Sequence, residues 1–467
     1  MLAGKATNQI DIRKNKRAAL IVATLSSFLG PFMGSSVNVA LPSIGQEFSM
    51  SAVLLGWVNT AFLLSAATFT IPFGRLGDIY GRKKIYMLGV LAFTISSVLI
   101  ANSLSSTMLI LCRALQGFGA SMIFATGMAI LISVYPVGER GKALGITIAA
   151  VYLGLSTGPF FGGLITQHLG WRFIFWLNLP LGLVLLSVIF FMLKGDWAEA
   201  KEMKFDLIGS MILGLALLST MYGFSKLPSV YAGALVAVGL AGVVVFVIYE
   251  MRVKYPLIDI NLFRYNTVFA FSNLAALINY AATFAVSFLL SLYLQKIRGF
   301  SPQDTGFILI SQPIVQAIFS PVAGRLSDRI EPRTVASAGM AMTLIGLILL
   351  VFLNIETSLI YVISCLVFLG FGFALFSSPN TNAIMSSVGR RFYGVSAAVV
   401  GTMRQVGMMV SMGIVMMILA LLLGQAEIGL ENKAAFIRCI KIAFSVFAVM
   451  CFGGIFASLA RGKMNRK

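Results

Sequence analysis

The sequence predicts an all-α membrane protein of fourteen transmembrane helices, arranged as two six-helix bundles with two helices inserted between them. Three observations carry this prediction. Of the 467 residues, 58% are hydrophobic and 11% charged, too few charges to clothe a soluble protein of this size in a mixed-charge surface. Nearly uncharged stretches recur from Ala18 to Leu459, and about 20 residues at ~1.5 Å each cross a hydrocarbon core about 30 Å thick. Finally, Gly74-Arg75-Leu76-Gly77-Asp78 returns 250 residues later as Gly324-Arg325-Leu326-Ser327-Asp328, so the chain reads as two related halves.

The first six spans are read at 18–42, 53–76, 84–102, 107–134, 143–166 and 173–193, giving an N-terminal bundle over 18–193 behind a tail at 1–17. A charged loop at 194–205 leads to two inserted spans at 206–225 and 228–249, and a basic loop at 250–266 leads out of them. The C-terminal bundle, 267–460, has spans at 267–294, 305–323, 334–353, 358–385, 395–423 and 439–459, followed by a tail at 461–467. The first run is too long for a signal-peptide core and has no small-residue cleavage site, so it is read as a permanent span. With both tails in the cytoplasm, 26 of the 35 Lys and Arg fall on the inner side and seven on the outer, with Arg113 and Arg404 inside spans. That asymmetry is what the positive-inside rule requires.

The net charge of +19 is spread between apolar runs and not gathered on one face, which argues against nucleic acid and for the lipid bilayer as the partner. Cys112, Cys365, Cys439 and Cys451 lie in or beside apolar runs, where a disulfide framework has no loops to staple. His168 is the only histidine. No metal site, cofactor or catalytic residue is expected, and the chain is not read as an enzyme. A phosphate-binding loop of the kind a primary pump needs is missing from the sequence.

The loop after the second span reads Gly74-Arg75-Leu76-Gly77-Asp78-Ile79-Tyr80-Gly81-Arg82-Lys83-Lys84. Its glycines permit a tight turn and close helix approach, and Asp78 is suited to the positive start of a neighbouring helix, the thirteenth span near Gly394. The basic triplet from Arg82 is expected at the inner headgroups. The repeat continues with Gly117-Phe118-Gly119 matching Gly370-Phe371-Gly372, Gly141 matching Gly394 and Gly154 matching Gly407, each at an offset of 253.

Span 4 carries Arg113-Ala114-Leu115-Gln116-Gly117. An arginine at the centre of a span costs at least about 2.5 kcal/mol, so Arg113 must face the interior, either as a functional charge or bonded to backbone carbonyls and Gln116. Span 5 carries Gly154-Leu155-Ser156-Thr157-Gly158-Pro159-Phe160-Phe161-Gly162-Gly163. There Pro159 removes a helix hydrogen bond and bends the span, while the spaced glycines admit another helix. Arg404-Gln405 lies some nine residues, roughly 14 Å, into span 13, as a cavity-lining group or an internal structural one. Asn38, Asn59, Asn279, Gln312, Gln316 and Asn380 are polar residues within spans that can orient a ligand, and the methionines of span 13 suit either a soft cavity or a lipid-facing surface.

Together these motifs resemble the major facilitator superfamily, and within it the fourteen-span drug:proton antiporter branch, along nearly the whole chain. Trp171 to Pro180 and Pro256 to Asp259 are further landmarks of that resemblance. It implies the major facilitator fold, a gate at Gly74, Arg75, Asp78, Gly81, Arg82 and Lys83 with its copy at Gly324, Arg325 and Asp328, and an exporter mark at Gly154, Gly158, Pro159, Gly162 and Gly163. The implied function is secondary efflux of hydrophobic or amphipathic small molecules, with Arg113, Gln116, Arg404, Gln405, Asn38, Asn279 and Gln312 as substrate or coupling candidates and protons as coupling ion. A single anionic or neutral metabolite is the alternative cargo, and a receptor or scaffold the alternative outside transport. A functional monomer is expected, with an accessory export partner left open. The chain departs from the branch at span 1, where Val37-Asn38-Val39-Ala40-Leu41-Pro42 follows Phe32-Met33 instead of a Leu-Asp pair. All 16 Asp and Glu lie in loops or at span ends, so a proton site within span 1 is not expected.

Overall fold

The structure is a computed structural model. It describes residues 2–136, 139–198, 204–258, 260–388, 393–424, 426, 428 and 430–462, excepting the side chains of 2–13, 140–142, 144, 328, 393–395, 397, 398 and 430. Fourteen of the described helices are long and apolar enough to cross a membrane. Spans 1–6 are Lys14–Glu47, Ala52–Tyr80, Arg82–Ala101, Ser106–Val134, Gly145–His168 and Arg172–Phe191. Spans 7 and 8 are Leu207–Lys226 and Val230–Glu250. Spans 9–14 are Thr267–Ile297, Pro302–Ser327, Pro332–Val351, Leu359–Ser386, Val399–Leu422 and Lys433–Ala460. An even number of crossings places both chain ends on one side, called here the termini face.

Hydrocarbon offers no hydrogen bonds, so the ends of the helices need donors and acceptors of their own. Ser51, Ser105, Asn266, Ser301 and Ser358 cap the starts of spans 2, 4, 9, 10 and 12 with side-chain oxygens. Span 3 begins at Arg82, two residues before the sequence reading, because Gly81 turns the chain at φ 113°. Lys83 N at that helix start donates to Asp196 Oδ1 at 3.2 Å, and Arg82 N donates to Trp197 O at 3.0 Å. The segment after span 6 is thereby docked on the signature loop.

Three pairs of glycines repeat their packing in the tandem halves. A Cβ at Gly119 would sit 2.6 Å from Phe93 N of span 3, and one at Gly372 would sit 2.7 Å from Thr343 N of span 11. Gly117 likewise receives Phe62 O of span 2, as Gly370 receives Gln312 O of span 10. Gly154 meets Phe28 O of span 1 at 2.5 Å from its missing Cβ, and Gly407 meets Leu277 O of span 9 at the same 2.5 Å. These glycines let backbones touch where any side chain would hold them apart.

Spans 7 and 8 pack on each other through Gly239, whose missing Cβ lies 2.7 Å from Ala216 O. Span 7 also touches both halves, span 2 at Gly214 and Thr68 and span 13 at Gly413 and Met221.

The described contacts that join the halves concentrate on the face opposite the termini. There Gly163 of span 5 meets Pro302 O of span 10, Phe160 stacks edge-on to Phe307 at 5.0 Å, and His168 Nε2 lies 2.9 Å from Gln303 Oε1. Span 2 meets span 13 through Gly56 against Met412 and Met416, the Thr60 hydroxyl donating to Met416 Sδ at 3.1 Å, and Ala52 N donating to Ala426 O. Met412 and Met416 are thus part of a seal, a role neither reading of the methionine run had assigned. Gln295 Nε2 closes the group by donating to Val39 O at 2.8 Å. Because a Cβ at Gly163 would come within 2.5 Å of the Pro302 carbonyl, Gly163→Leu should wedge spans 5 and 10 apart at a cost of about 1–3 kcal/mol. A cysteine placed at Gln303, in a background without the four native cysteines, should then react several-fold faster with a membrane-impermeant maleimide. Unchanged reactivity would show that the seal does not depend on this approach.

Candidate functional site

Two clusters of polar side chains lie inside the helix bundle, one within the N-terminal half and one between the halves. In the first, Arg113 is 2% exposed and donates from Nε to Val58 O at 2.9 Å and from Nη1 to Gln116 Oε1 at 2.5 Å. Its guanidinium also lies 4.6 Å from the centre of the Phe62 ring. Gln116 Nε2 donates to Ser97 Oγ at 2.7 Å, and Asn178 Nδ2 donates to Ser97 Oγ and to Met33 Sδ, each at 3.2 Å. Spans 1, 2, 3, 4 and 6 all contribute to this cluster. Both partners that the structural reading of Arg113 named, a backbone carbonyl and Gln116, are present. Met33, at the position where the branch carries an acid, ends the chain of contacts with a buried sulfur that cannot carry charge.

Between the halves, the Tyr152 hydroxyl of span 5 sits beside the hydroxyls of Ser320 on span 10 and Ser377 on span 12, with Tyr280 of span 9 and Arg404 of span 13 close by. The Tyr280 ring faces Phe373 at 6.5 Å between centres. Arg404 is half-buried, and no ion pair to it occurs among the described residues. Ser320 Oγ, Thr402 Oγ1 and both polar atoms of the Asn279 side chain are buried with no well-formed hydrogen bond among the described residues. Buried polar groups left in that state call for water or a ligand. Thr70 of span 2 donates to Gln405 Oε1 at 3.0 Å, crossing the seam one residue from Arg404.

The other candidates scatter. Asn59 Nδ2 donates to Asn38 Oδ1 at 2.6 Å, so these two pair with each other between spans 1 and 2. Gln312 is half-buried on span 10, and Gln316 is buried. Asn380 is held within the C-terminal bundle, donating to Ser272 O at 3.0 Å and accepting from Arg461 Nη1 at 3.1 Å. Arg461, the residue after span 14, is 1% exposed and also bonds Ser458 and Ser272. Burial, with Arg333 nearby, lowers its pKa to about 10, which leaves it a cation at neutral pH.

At the signature loop, Asp78 is paired with Arg82 of its own strand of chain, Nε to Oδ1 at 2.8 Å, and Arg82 also reaches Ser133 Oγ at 2.6 Å. Arg82 is mostly buried there, because a carboxylate and a hydroxyl match its fork of donors. Lys83 Nζ bonds Leu193 O, and Lys84 remains largely exposed. Gly74 and Gly324 lie against Ala125 and Ser378 in matching positions of the two halves, and Arg325 is exposed. The Asp328 side chain, Asp259 and the surroundings of Gly394 lie outside the described residues. In span 5, the helix continues through Pro159, with Gly158 and Gly162 against Ser35 and Ser36 of span 1, while Gly163 and the Pro159 carbonyl face span 10.

Sequence reasoning missed Tyr152, Tyr280, Ser320, Ser377, Ser97 and Asn178. Hydroxyl and amide groups in mid-span were the available signal, but such groups can also satisfy themselves on their own helix, and only the fold shows which converge.

The chain matches the family model described as Major Facilitator Superfamily over residues 23–272 and again over 272–464. The chain belongs to the Major Facilitator Superfamily. The first match takes in the N-terminal half together with the inserted spans 7 and 8, and the second takes in the C-terminal half. This superfamily chain is 29% identical over 445 residues to the riboflavin transporter RibZ of Clostridioides difficile, covering 95% of this chain and 96% of that one. It is 30% identical over 410 residues to the multidrug resistance protein Stp of Mycobacterium tuberculosis, covering 86% and 76% respectively. Its fold is similar to that of a bacterial homolog of the human lysosomal transporter Spinster, solved inward-facing and unoccupied, with a TM-score of 0.65 at 17% identity over 96% of this chain. The superfamily member described here is a multi-pass membrane transporter.

Removing Arg113 leaves Gln116 Oε1 and Val58 O without their buried donor, at about 1–3 kcal/mol for each orphaned acceptor. Arg113→Ala should lower the unfolding midpoint in detergent by several degrees. Arg113→Ala combined with Gln116→Leu should recover part of the loss, and a double variant no more stable than the single one would show that the network is not what holds Arg113.

Proposed function

We propose that this transporter is a secondary exporter of neutral or anionic amphipathic small molecules, working by alternating access with its termini in the cytoplasm and belonging to the fourteen-span drug efflux branch. The observation that carries the reading is the seam cluster. It offers a half-buried cation, Arg404, two tyrosine rings and the hydroxyls of Ser320 and Ser377, while every Asp and Glu lies in a loop or at a span end. A guanidinium stays protonated, so it attracts an anion or a polarised neutral group and repels a cation, by about 4 kcal/mol at 4 Å for an effective dielectric of 20. The excess of Lys and Arg on the termini side supports the orientation. The Gly-Pro-x-x-Gly-Gly run, packed on span 1 and span 10, supports the direction.

In this reading cargo enters from the termini face and meets the seam below the seal of spans 5 and 10 and spans 2 and 13. Rocking of the halves breaks that seal and closes the termini face, where Asp78 leaves Arg82 for the start of span 13. Proton antiport, if it operates, runs through a group other than Met33. A second cargo, a single planar heteroaromatic metabolite, is favoured by the tyrosine and phenylalanine rings at the seam and by the relative named for riboflavin.

Proteoliposomes loaded with a divalent organic cation, a neutral dye, an anionic amphiphile or riboflavin distinguish these. Flux of the anion or the neutral compound, lost by about tenfold in Arg404→Gln, is expected. Robust pH-driven flux of the divalent cation by the unmodified protein would overturn the charge reading, and cation flux gained only with Met33→Asp would support it. Flux of riboflavin alone would select the single-metabolite reading. For the gate, Asp78→Asn should leave folding intact and make a cysteine at Gln405 more reactive from the termini face, and unchanged reactivity with full transport would remove Asp78 from the gate.

A further inference from the structure

We infer that Asp206 and Glu250, at the termini-face ends of the inserted spans 7 and 8, form a site that holds one proton between two carboxyl groups and clamps the base of the helix pair. The two side chains are 8% and 3% exposed. Each has one oxygen satisfied by the protein: Gly209 N donates to Asp206 Oδ1 at 2.9 Å, Tyr249 Oη donates to the same oxygen at 3.2 Å, and Ile258 N donates to Glu250 Oε2 at 3.0 Å. The other two oxygens, Asp206 Oδ2 and Glu250 Oε1, are buried with no hydrogen-bond partner among the described residues. Both point at one place. A Cβ at Gly209 would collide with Asp206 Oδ2 and stand 2.6 Å from Glu250 Oε1, so the absence of a side chain at Gly209 is what lets the two carboxyl groups share the space.

Two ionised carboxylates cannot be held together out of water without a cation or a proton between them. Among the described residues no Lys or Arg forms an ion pair with either group. Lys204 ahead of span 7 and Arg252 and Lys254 after span 8 are exposed to solvent, and among the described residues Tyr249 is the one titratable side chain hydrogen-bonded to the pair. On the neighbouring span 2, Asp78 is engaged by Arg82 and Arg75 lies a turn away on the same helix, and the first side chains of span 13 lie outside the described residues. One proton taken from water on the termini face resolves the conflict, as the O–H of one carboxyl donates to the unpartnered oxygen of the other.

The proton joins three pieces of chain: the start of span 7, the end of span 8 and Ile258 in the segment leading to span 9. Its loss leaves two buried like charges that push this joint open. The base of the inserted pair is thereby sensitive to pH on the termini side, at a place remote from the seam where cargo is proposed to bind.

The test uses the purified full chain in lipid nanodiscs without cargo, so it is independent of the transport reading. Infrared difference spectra at neutral pH should show a protonated carboxyl band that is missing in Glu250→Gln and in Asp206→Asn. The unfolding midpoint of the unmodified protein should fall by several degrees as pH rises from the acid range, where the carboxyls of the unfolded chain ionise, to the point where the folded pair gives up its proton, and level off above it, and Glu250→Gln, a permanent mimic of the protonated acid, should be flat over that range. Should Glu250→Gln not fold, Asp206→Asn serves for both measurements. A missing carboxyl band, or a midpoint that depends on added monovalent or divalent cation instead of pH, would overturn the proposal.

Discussion

Everything in this transporter is arranged around a solvent that cannot hydrogen-bond. A span must satisfy its own amides, its ends must find caps, and any polar side chain inside the bundle must bring its partner along. The consequences are visible at every level of the fold. Serine and asparagine caps begin the spans, Ser and Thr hydroxyls turn back to carbonyls of their own helices, and the buried arginines are wrapped in carbonyl, amide and hydroxyl oxygens.

The same solvent removes the hydrophobic drive between helices, so association rests on how closely backbones can approach. Glycine supplies the approach, and it does so twice. Gly119 and Gly372, Gly117 and Gly370, and Gly154 and Gly407 seat equivalent atoms of equivalent spans in the two halves. Close backbone contacts within a half are therefore duplicated, while the described contacts between halves are fewer and concentrate on the face opposite the termini, at Gly163, Gly56 and the Met412 and Met416 side chains. A molecule stiff within each half and divisible between them is the mechanical requirement for alternating access.

Charge is distributed along the same division. Within the N-terminal half, Arg113 is neutralised by dipoles alone and ends in a chain of contacts at Met33, so this network rigidifies without titrating. At the seam, Arg404 is only half-buried and forms no ion pair among the described residues. Among the described residues, the buried carboxyl groups, Asp206 and Glu250, are at the foot of the inserted pair, beside the two halves and not between them.

By itself the sequence determined the number of crossings, the tandem relation of the halves, the insertion of spans 7 and 8 and the need for Arg113 to have partners. These follow from properties carried locally: run length against membrane thickness, the spacing of glycines, and the cost of a charge in hydrocarbon. It could not decide that Asn38 would be absorbed by Asn59, that Arg82 would turn inward to Asp78 and Ser133, that Arg461 would be buried beyond the last span, or that Tyr152 would meet Ser320 and Ser377. Nor could it show two carboxylates from opposite ends of a helical hairpin converging over Gly209. Each of those is set by which side chains from distant spans share one space, and a polar group's partner, unlike its cost, is a property of the tertiary packing and not of its own segment.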